Sequence, residues 1–127
     1  MLVWTRDGDL LAFESLSEAA GDMEAIDVDE GEYVAAFTLD GRPVAISAGD
    51  GRVILNVGEE PNLAELRRRL TDSQARSGFH SPTNDPVAVA SELVWGAWDH
   101  RWPQRPGWLA RRLHGPAPTL PRPQRRT

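Results

Sequence analysis

Three Asp-Gly dipeptides, at 7–8, 40–41 and 50–51, interrupt the first half of the chain, and each follows a short run rich in β-forming residues. Asp-Gly favours tight hairpin turns, because Asp tolerates and Gly readily adopts the positive φ angles that such turns require. We therefore predict antiparallel hairpins in this half, with a type I′ turn at Asp7-Gly8. The predicted strands cover residues 2–6, 10–14, 32–39, 43–47 and 52–57.

The last three of these strands are predicted to form a meander. Val53-Ile54-Leu55 is a continuous apolar run, which is typical of a central strand. Pro43 cannot donate a hydrogen bond to a β-ladder, so it belongs at the start of a strand or at a sheet edge.

A first helix is predicted at about 16–26. Ser15 and Glu18 have the spacing of a capping box, which marks a helix start. The apolar residues that follow at helical spacing are Leu16, Ala19, Ala20, Met23 and Ile26.

Two further helices are predicted from the same kinds of signal. Asn62 caps a helix that ends near residue 78. The apolar residues expected on its inner side are Leu63, Leu66 and Leu70. Asp85 as a cap and Pro86 as the first helical residue start the next helix, which runs to about His100.

Strands and helices are segregated along the chain in the order ββ-α-βββ-α-α. This segregation predicts an α+β fold, with an antiparallel sheet of about five strands and helices packed on it. A chain of 127 residues is an ordinary size for one hydrophobic core, so we assign residues 1–114 to a single domain. Residues 115–127, rich in proline and arginine, are predicted to be a disordered tail, preceded by a short helix at 108–113.

No catalytic or ligand-binding motif is recognisable in the sequence. The chain has no cysteine and no lysine, which excludes disulfides, thiolate nucleophiles and Schiff-base lysines. His80, His100 and His114 are far apart, and the sequence has neither a phosphate-binding glycine pattern nor G-x-S-x-G. The acidic stretch IDVDEGE does not meet the calcium-loop pattern. We therefore expect no enzymatic activity, no cofactor and no metal.

Neither a membrane span nor a secretory leader is predicted. No apolar run approaches the roughly 20 residues that cross a bilayer, and the chain does not start with a basic region followed by an apolar segment. Together with the lack of cysteine, this favours the cytoplasm.

Charge is distributed unevenly along the chain. Residues 1–60 carry fourteen acidic residues and three arginines, a net charge of −11, whereas residues 61–127 carry eleven arginines and five acidic residues, a net charge of +6. This asymmetry predicts an acidic face and a basic tail that attract each other or attract different partners. The residues expected on the acidic face are Asp22, Glu24, Asp27, Asp29, Glu30 and Glu32.

Four of the five tryptophans lie between residues 93 and 108. Trp95, Trp98 and Trp102 fall within about 60° on a helical wheel, which favours packing of one aromatic stripe on the sheet or on the second helix. The alternative is a binding surface, because Trp and Arg dominate interface hot spots. That surface would comprise Trp98, Arg101, Trp102, Arg105 and Trp108.

Residues 15–46 read SLSEAAGDMEAIDVDEGEYVAAFTLDGRPVAI. The segment resembles small uncharacterised bacterial proteins in which an amphipathic helix leads through an acidic turn into an Asp-Gly hairpin. This resemblance implies a local fold and no activity. In size, acidity and lack of catalytic motifs, the chain is also similar to immunity proteins of bacterial toxin systems. That similarity implies a non-catalytic protein whose acidic face blocks the cationic cleft of a basic, toxin-like partner protein.

Two other functions are open at this point. A nucleic-acid-associated accessory protein would use the seven arginines of residues 101–127 on phosphates and the tryptophans on bases. The acidic body would repel the same polymer, so binding by the tail would be weak. An assembly subunit would instead bury the tryptophan stripe in a neighbouring subunit.

Overall fold

A computed structural model describes residues 1–77, 84–101 and 118–123. The described chain is an α+β fold with antiparallel sheets, as the sequence predicts. Its strands are β1 (Leu2–Thr5), β2 (Leu10–Ala12), β3 (Tyr33–Phe37), β4 (Val44–Gly49) and β5 (Arg52–Val57). Its helices are α1 (Leu16–Asp22), α2 (Ala25–Asp29), α3 (Leu63–Ser77) and α4 (Pro86–Arg101).

Two sheets replace the single five-stranded sheet predicted from the sequence. β1 lies between β2 and β3 in a three-stranded sheet, and β4 pairs with β5 in a two-stranded sheet. β3 meets the next segment through an isolated bridge from Phe37 to Pro43. Pro43 has no N–H to offer β3, and its carbonyl accepts a hydrogen bond from the Gly58 N–H at 2.7 Å. The β3–β4 ladder therefore does not continue, and β4 leaves the first sheet.

β1 is the central strand, whereas the sequence indicated β5. All four residues of β1 are buried, because Leu2 and Trp4 point to one face of the sheet and Val3 to the other. Residues 52–57 do form a strand, as predicted, but its side chains alternate between exposed and half-buried. Within the described chain, β5 pairs with β4 alone, so its prediction as a central strand was wrong.

The three-stranded sheet separates two hydrophobic cores. The first core, shared with α1 and the β4–β5 hairpin, contains Met1, Val3, Phe13, Ala19, Met23, Ala36 and Val44. The second core, shared with α3 and α4, contains Leu2, Trp4, Phe37, Leu66, Leu70, Val89 and Ala90. The described chain is thus built in three layers, with the β2-β1-β3 sheet in the middle.

The Asp-Gly dipeptides form two different kinds of turn. Asp50 and Gly51 both have positive φ angles, of 53° and 72°, in a two-residue connection between the paired residues Gly49 and Arg52. These are the angles of a type I′ turn. The type I′ turn is therefore at 50–51 and not at 7–8.

The predicted type I′ turn at Asp7-Gly8 was wrong because the loop has three residues. Gly8 has a φ of 90°, and the Thr5 N–H donates to the Asp9 carbonyl at 2.9 Å. The Thr5 hydroxyl also accepts a hydrogen bond from the Asp9 N–H at 3.0 Å. The loop from Thr38 repeats this arrangement, with a φ of 92° at Gly41. A threonine three residues before the glycine thus accompanies the longer loop at both places.

The first predicted helix is two short helices, α1 and α2. They are separated by Met23 and Glu24, whose ψ angles of 143° and 136° are those of extended backbone. Ser15 caps α1 as predicted. The break directs Met23 into the first core and leaves Ile26 61% exposed, so the predicted apolar stripe does not continue to Ile26.

The starts of α3 and α4 agree with the sequence predictions. Asn62 caps α3 through its side-chain oxygen, and Pro86 is the first residue of α4. Leu66 and Leu70 are fully buried, as predicted, whereas Leu63 is 40% exposed. The sequence signals therefore located both helices, and they misplaced one leucine at the first turn of α3.

The predicted helix at 108–113 and most of the predicted tail at 115–127 lie outside the described residues. Residues 118–123 are described, and they form neither helix nor strand. Leu120 packs against the second core. This part of the predicted tail therefore contacts the folded body.

Candidate functional site

The acidic residues at 22–32 lie on one consecutive stretch, which we call the acidic surface. It begins at the end of α1, follows α2 and ends just before β3. Its members are Asp22, Glu24, Asp27, Asp29, Glu30 and Glu32. Asp27 and Glu32 are half-buried, and the other four are exposed. The structure thus places all six predicted acidic residues where solvent or a partner can reach them.

Among the described residues, Arg6 pairs with the acidic surface. Its guanidinium lies 3.4 Å from the Glu32 carboxylate and donates to the Glu30 backbone carbonyl at 3.2 Å. The five other carboxylates have no ion pair within residues 1–77, 84–101 and 118–123. The surface therefore keeps a large excess of negative charge.

The pKa of Tyr33 depends in part on the charge of the acidic surface. Burial raises the pKa of its phenol above the ordinary value of about 10. The carboxylates of Asp27, Glu32 and Glu24 raise this pKa further, because they repel a phenolate, while a hydrogen bond with the Glu24 backbone opposes the shift. These three carboxylates, from α2 and the residues flanking it, therefore act on the same phenol.

Two large apolar side chains are exposed among these acidic residues. Ile26 on α2 is 61% exposed, and Val34 on β3 is 55% exposed. The pairing of β3 with β1 passes from Ala35 directly to Tyr33, so Val34 is the extra residue of a β-bulge. The exposure of Val34 could not be predicted from the sequence. Strand faces are predicted from the alternation of every second residue, and a bulge interrupts that alternation.

A shallow depression of about 540 Å³ opens at the start of the acidic surface. It lies between the α1–α2 junction and the turn that leads into β5. Its charged lining residues are Glu24 and Arg52, and small residues such as Gly21, Ala25 and Gly51 leave the space open. The acidic surface is therefore concave at this end.

Trp95 and Trp98, the members of the tryptophan stripe that the structure describes, do not form the core-facing side of α4. That side is formed by Val89, Ala90 and Leu93, which pack in or against the second core. Trp95 and Trp98 are half-buried. The other members of the predicted aromatic and basic set lie outside what the structure describes, namely the side chain of Arg101 and the residues Trp102, Arg105 and Trp108.

Residues 118–123 contact Trp95. The Trp95 indole N–H donates to the Leu120 carbonyl at 2.8 Å, and the Arg122 guanidinium lies 4.6 Å from the ring centroid. Arg122 also donates to both carboxylate oxygens of Asp99, at 2.9 and 3.1 Å. Glu14 accepts hydrogen bonds from two consecutive backbone N–H groups of the segment. The sequence carried no signal for these contacts, because the partners are up to 106 positions apart.

A second depression, of about 430 Å³, lies between the β1–β2 loop and α3. Trp4 lines it and donates its indole N–H to the Ser73 hydroxyl at 2.8 Å. Its charged lining residues are Arg68, Arg69, Asp72 and Arg76. Arg68 and Arg69 both pair with Glu65 on the same helix. Because two of the three guanidinium groups are already paired, this region is best described as an ion-paired helix surface.

The described residues show neither a metal site nor a membrane-spanning helix. They contain no group of three His, Asp or Glu side chains arranged to hold a metal ion. No helix within those ranges is long and apolar enough to cross a bilayer. In comparisons with protein-family models, curated proteins and solved structures, the chain matches none of them.

Proposed function

We propose that this chain is a non-catalytic protein-binding module that recognises a basic partner protein through the acidic surface. The observation that supports the proposal is the make-up of that surface. Five of its carboxylates have no ion pair within the described residues, and the exposed side chains of Ile26 and Val34 lie within and just after the same stretch of the chain. Apolar contacts within a charged rim are the usual anatomy of a protein interface.

The two components of the surface would serve different steps of recognition. Unpaired carboxylates attract a basic partner over a distance and raise its association rate, with an effect that salt weakens. Buried apolar contacts mainly slow dissociation once the complex has formed. A surface with both therefore suits a partner that is captured quickly and held for a long time.

Within this class, we propose an immunity protein that neutralises a toxin by covering its substrate cleft. A nuclease toxin must attract a polyanion, so its cleft is cationic and complementary to the acidic surface. Such an inhibitor needs no chemistry of its own. The similarity to immunity proteins in size, acidity and lack of catalytic motifs supports this more specific form of the proposal.

The test compares two variants that remove the same charge at different places. Asp29→Asn/Glu30→Gln removes two exposed carboxylates from the acidic surface. Glu59→Gln/Glu60→Gln removes two exposed carboxylates that follow β5, and it serves as the control. Each chain is immobilised at equal density and exposed to a lysate of the native host, and the retained proteins are identified and quantified by mass spectrometry.

We expect the wild-type chain and the control to retain the same dominant basic protein. The variant at positions 29 and 30 should retain roughly tenfold less of it, which corresponds to about 1.4 kcal/mol of binding free energy. The purified partner should be toxic alone and harmless in the presence of the wild-type chain. Retention of no protein, or of equal amounts by all three chains, would exclude recognition through the acidic surface.

A further inference from the structure

The surface formed by Glu14, Trp95 and Asp99, which we call the α4 groove, is separate from the acidic surface. We propose that the α4 groove is a docking site for a proline-containing peptide, and that residues 118–123 are its tethered and displaceable ligand. This segment reads PTLPRP. The proposal does not depend on the partner suggested for the acidic surface.

The α4 groove recognises the backbone of the segment. Glu14 accepts from two consecutive N–H groups, and the Trp95 indole donates to the Leu120 carbonyl at 2.8 Å. Residues 118–123 form neither helix nor strand, so these backbone groups are free to bond to the groove. The contacts use backbone atoms, and they therefore do not by themselves select a particular sequence.

Two side chains add sequence preference. Leu120 packs against the second core, and Arg122 donates to both oxygens of Asp99 while it lies over the Trp95 ring. Both hydrogen bonds to Asp99 come from one terminal nitrogen of Arg122, and the position of its guanidinium over the Trp95 ring is the contact that favours arginine over lysine. The peptide that fits the groove therefore carries leucine and arginine two positions apart, with proline between them.

The prolines prepare the segment for binding. Pro121 and Pro123 fix their own φ angles near −65°, and they also restrict the backbone of Leu120 and Arg122, which precede them. A segment that is already restricted loses little conformational entropy when it binds. Docking of proline-containing segments against aromatic-lined grooves is a recurring mode of peptide recognition that relies on this effect.

The contact is also suited to release. The side chains of Arg122 and Asp99 are 49% and 44% exposed, so salt weakens their attraction. Sixteen residues, 102–117, connect α4 with the segment. Because the segment belongs to the same chain, its docking is intramolecular, and a separate peptide has to compete with its effective local concentration. The chain's own segment therefore occupies the groove until a competing peptide displaces it.

The experiment empties the groove in the full-length chain and offers the peptide separately. Leu120→Ala/Arg122→Ala weakens the tethered ligand, and the probe is a fluorescein-labelled peptide with the sequence of residues 116–123, PAPTLPRP. Binding is measured by fluorescence anisotropy. We expect saturable binding to this variant and roughly tenfold weaker apparent binding to the wild-type chain, whose groove is occupied.

Matched controls assign the binding to the α4 groove. Adding Asp99→Asn to the emptied variant should weaken peptide binding several-fold, whereas Asp72→Asn, at another exposed aspartate paired with an arginine, should leave it unchanged. A scrambled peptide should not bind. No saturable binding to the emptied variant, or equal binding of the scrambled peptide, would overturn the proposal.

Loss of Leu120 also removes a contact with the second core, so the tethered contact is measured in a second way. The chain has no cysteine, and Thr119→Cys, at an exposed side chain of the segment, therefore takes a single spin label. We expect a restricted label that becomes more mobile with Asp99→Asn and in about 1 M salt, but not with Asp72→Asn. A label that is equally mobile in all three chains contradicts the proposal. Asp29→Asn/Glu30→Gln should change neither measurement, which separates this result from the test of the acidic surface.

Discussion

The two sides of the β2-β1-β3 sheet differ in how many of their charged side chains form ion pairs. On the side of the first core, five carboxylates of the acidic surface have no ion pair within the described chain. On the side of the second core, Arg68, Arg69 and Arg122 are each paired with a carboxylate. Within the described residues, the first side thus carries unbalanced negative charge, whereas three of the five arginines on the second side are ion-paired. Unbalanced charge costs stability through self-repulsion, so the first side is the one whose charge calls for a functional explanation.

Substitutions in β1 should have the largest effects on stability, and they compare the two hydrophobic cores directly. Leu2 and Val3 are both fully buried, and they face the second and the first core respectively. Leu2→Ala should lower the free energy of unfolding by about 3 kcal/mol and Val3→Ala by about 2 kcal/mol, because each leaves a cavity. Urea denaturation measures both. Ile26→Ala, at an exposed site, should change stability by less than about 0.5 kcal/mol. If Val3→Ala were as mild as Ile26→Ala, the first core would not contribute to stability.

The two matching glycine loops give the next largest effect. Gly8 and Gly41 have nearly equal φ angles of 90° and 92°, so alanine should introduce about 1 kcal/mol of backbone strain at either site. A Cβ at Gly41 would also lie 2.8 Å from the Leu63 side chain and 3.3 Å from its Cα, whereas a Cβ at Gly8 would meet the movable end of Arg76.

Gly41→Ala should therefore destabilise the protein by about 2 kcal/mol and Gly8→Ala by about 1 kcal/mol. Thermal and urea unfolding of the two variants compare them directly. Equal losses would mean that α3 moves away from the Gly41 loop at no cost, and that the contact between Leu63 and this loop does not hold the helix in place.

The sequence predicted those features that depend on neighbouring residues. Asn62 and Pro86 marked the starts of α3 and α4, because capping is decided within one helical turn. The extended backbone at Met23 and Glu24 was not predicted, since it serves the burial of Met23 in a core assembled from distant strands. The central position of β1 had a local signal, the apolar run Met1-Leu2-Val3-Trp4, but Val53-Ile54-Leu55 is equally apolar, and local composition alone does not decide which strand is central.

The candidate sites also differ in whether they depend on neighbouring or on distant residues. The six residues of the acidic surface lie within eleven consecutive positions, so their grouping can be read from the sequence. The exposed side chain of Val34 depends on the register between β1 and β3, and the α4 groove depends on contacts of Glu14 with residues more than a hundred positions away. Register and long-range contacts are set by the whole fold, so no local pattern announced them.

The titration of Tyr33 measures the unbalanced charge of the first side. Tyr33 is the only tyrosine in the chain, so the ultraviolet absorbance of phenolate reports it alone. Its raised pKa means that the stability contributed by the neutral phenol is fully present below about pH 10 and is lost as the pH rises through the folded-state pKa.

Asp27→Asn/Glu32→Gln should lower the pKa of Tyr33, although not to its ordinary value, because burial is the larger cause of the shift. Glu59→Gln/Glu60→Gln, which removes the same charge elsewhere, should leave the pKa unchanged. A basic partner bound to the acidic surface should also lower this pKa, since it stabilises the phenolate. An unchanged pKa in the variant at positions 27 and 32 would show that these carboxylates do not converge on the phenol.

The smallest expected effect is a change in association rate. It distinguishes the two sides of the sheet, whereas stability does not. Arg6 and Arg68 each form an exposed ion pair, with Glu32 and Glu65, so Arg6→Gln and Arg68→Gln should each have little effect on stability in urea denaturation. Arg6→Gln also leaves the acidic surface more negative, and it should therefore accelerate association with a captured basic partner at low salt. Arg68→Gln lies on the other side of the sheet and should leave this rate nearly unchanged.

Stopped-flow association at about 20 mM and 500 mM salt measures the difference between the two variants, which should vanish at the higher salt because the charges are screened. Equal rates for both variants at low salt would show that the partner does not approach through the acidic surface.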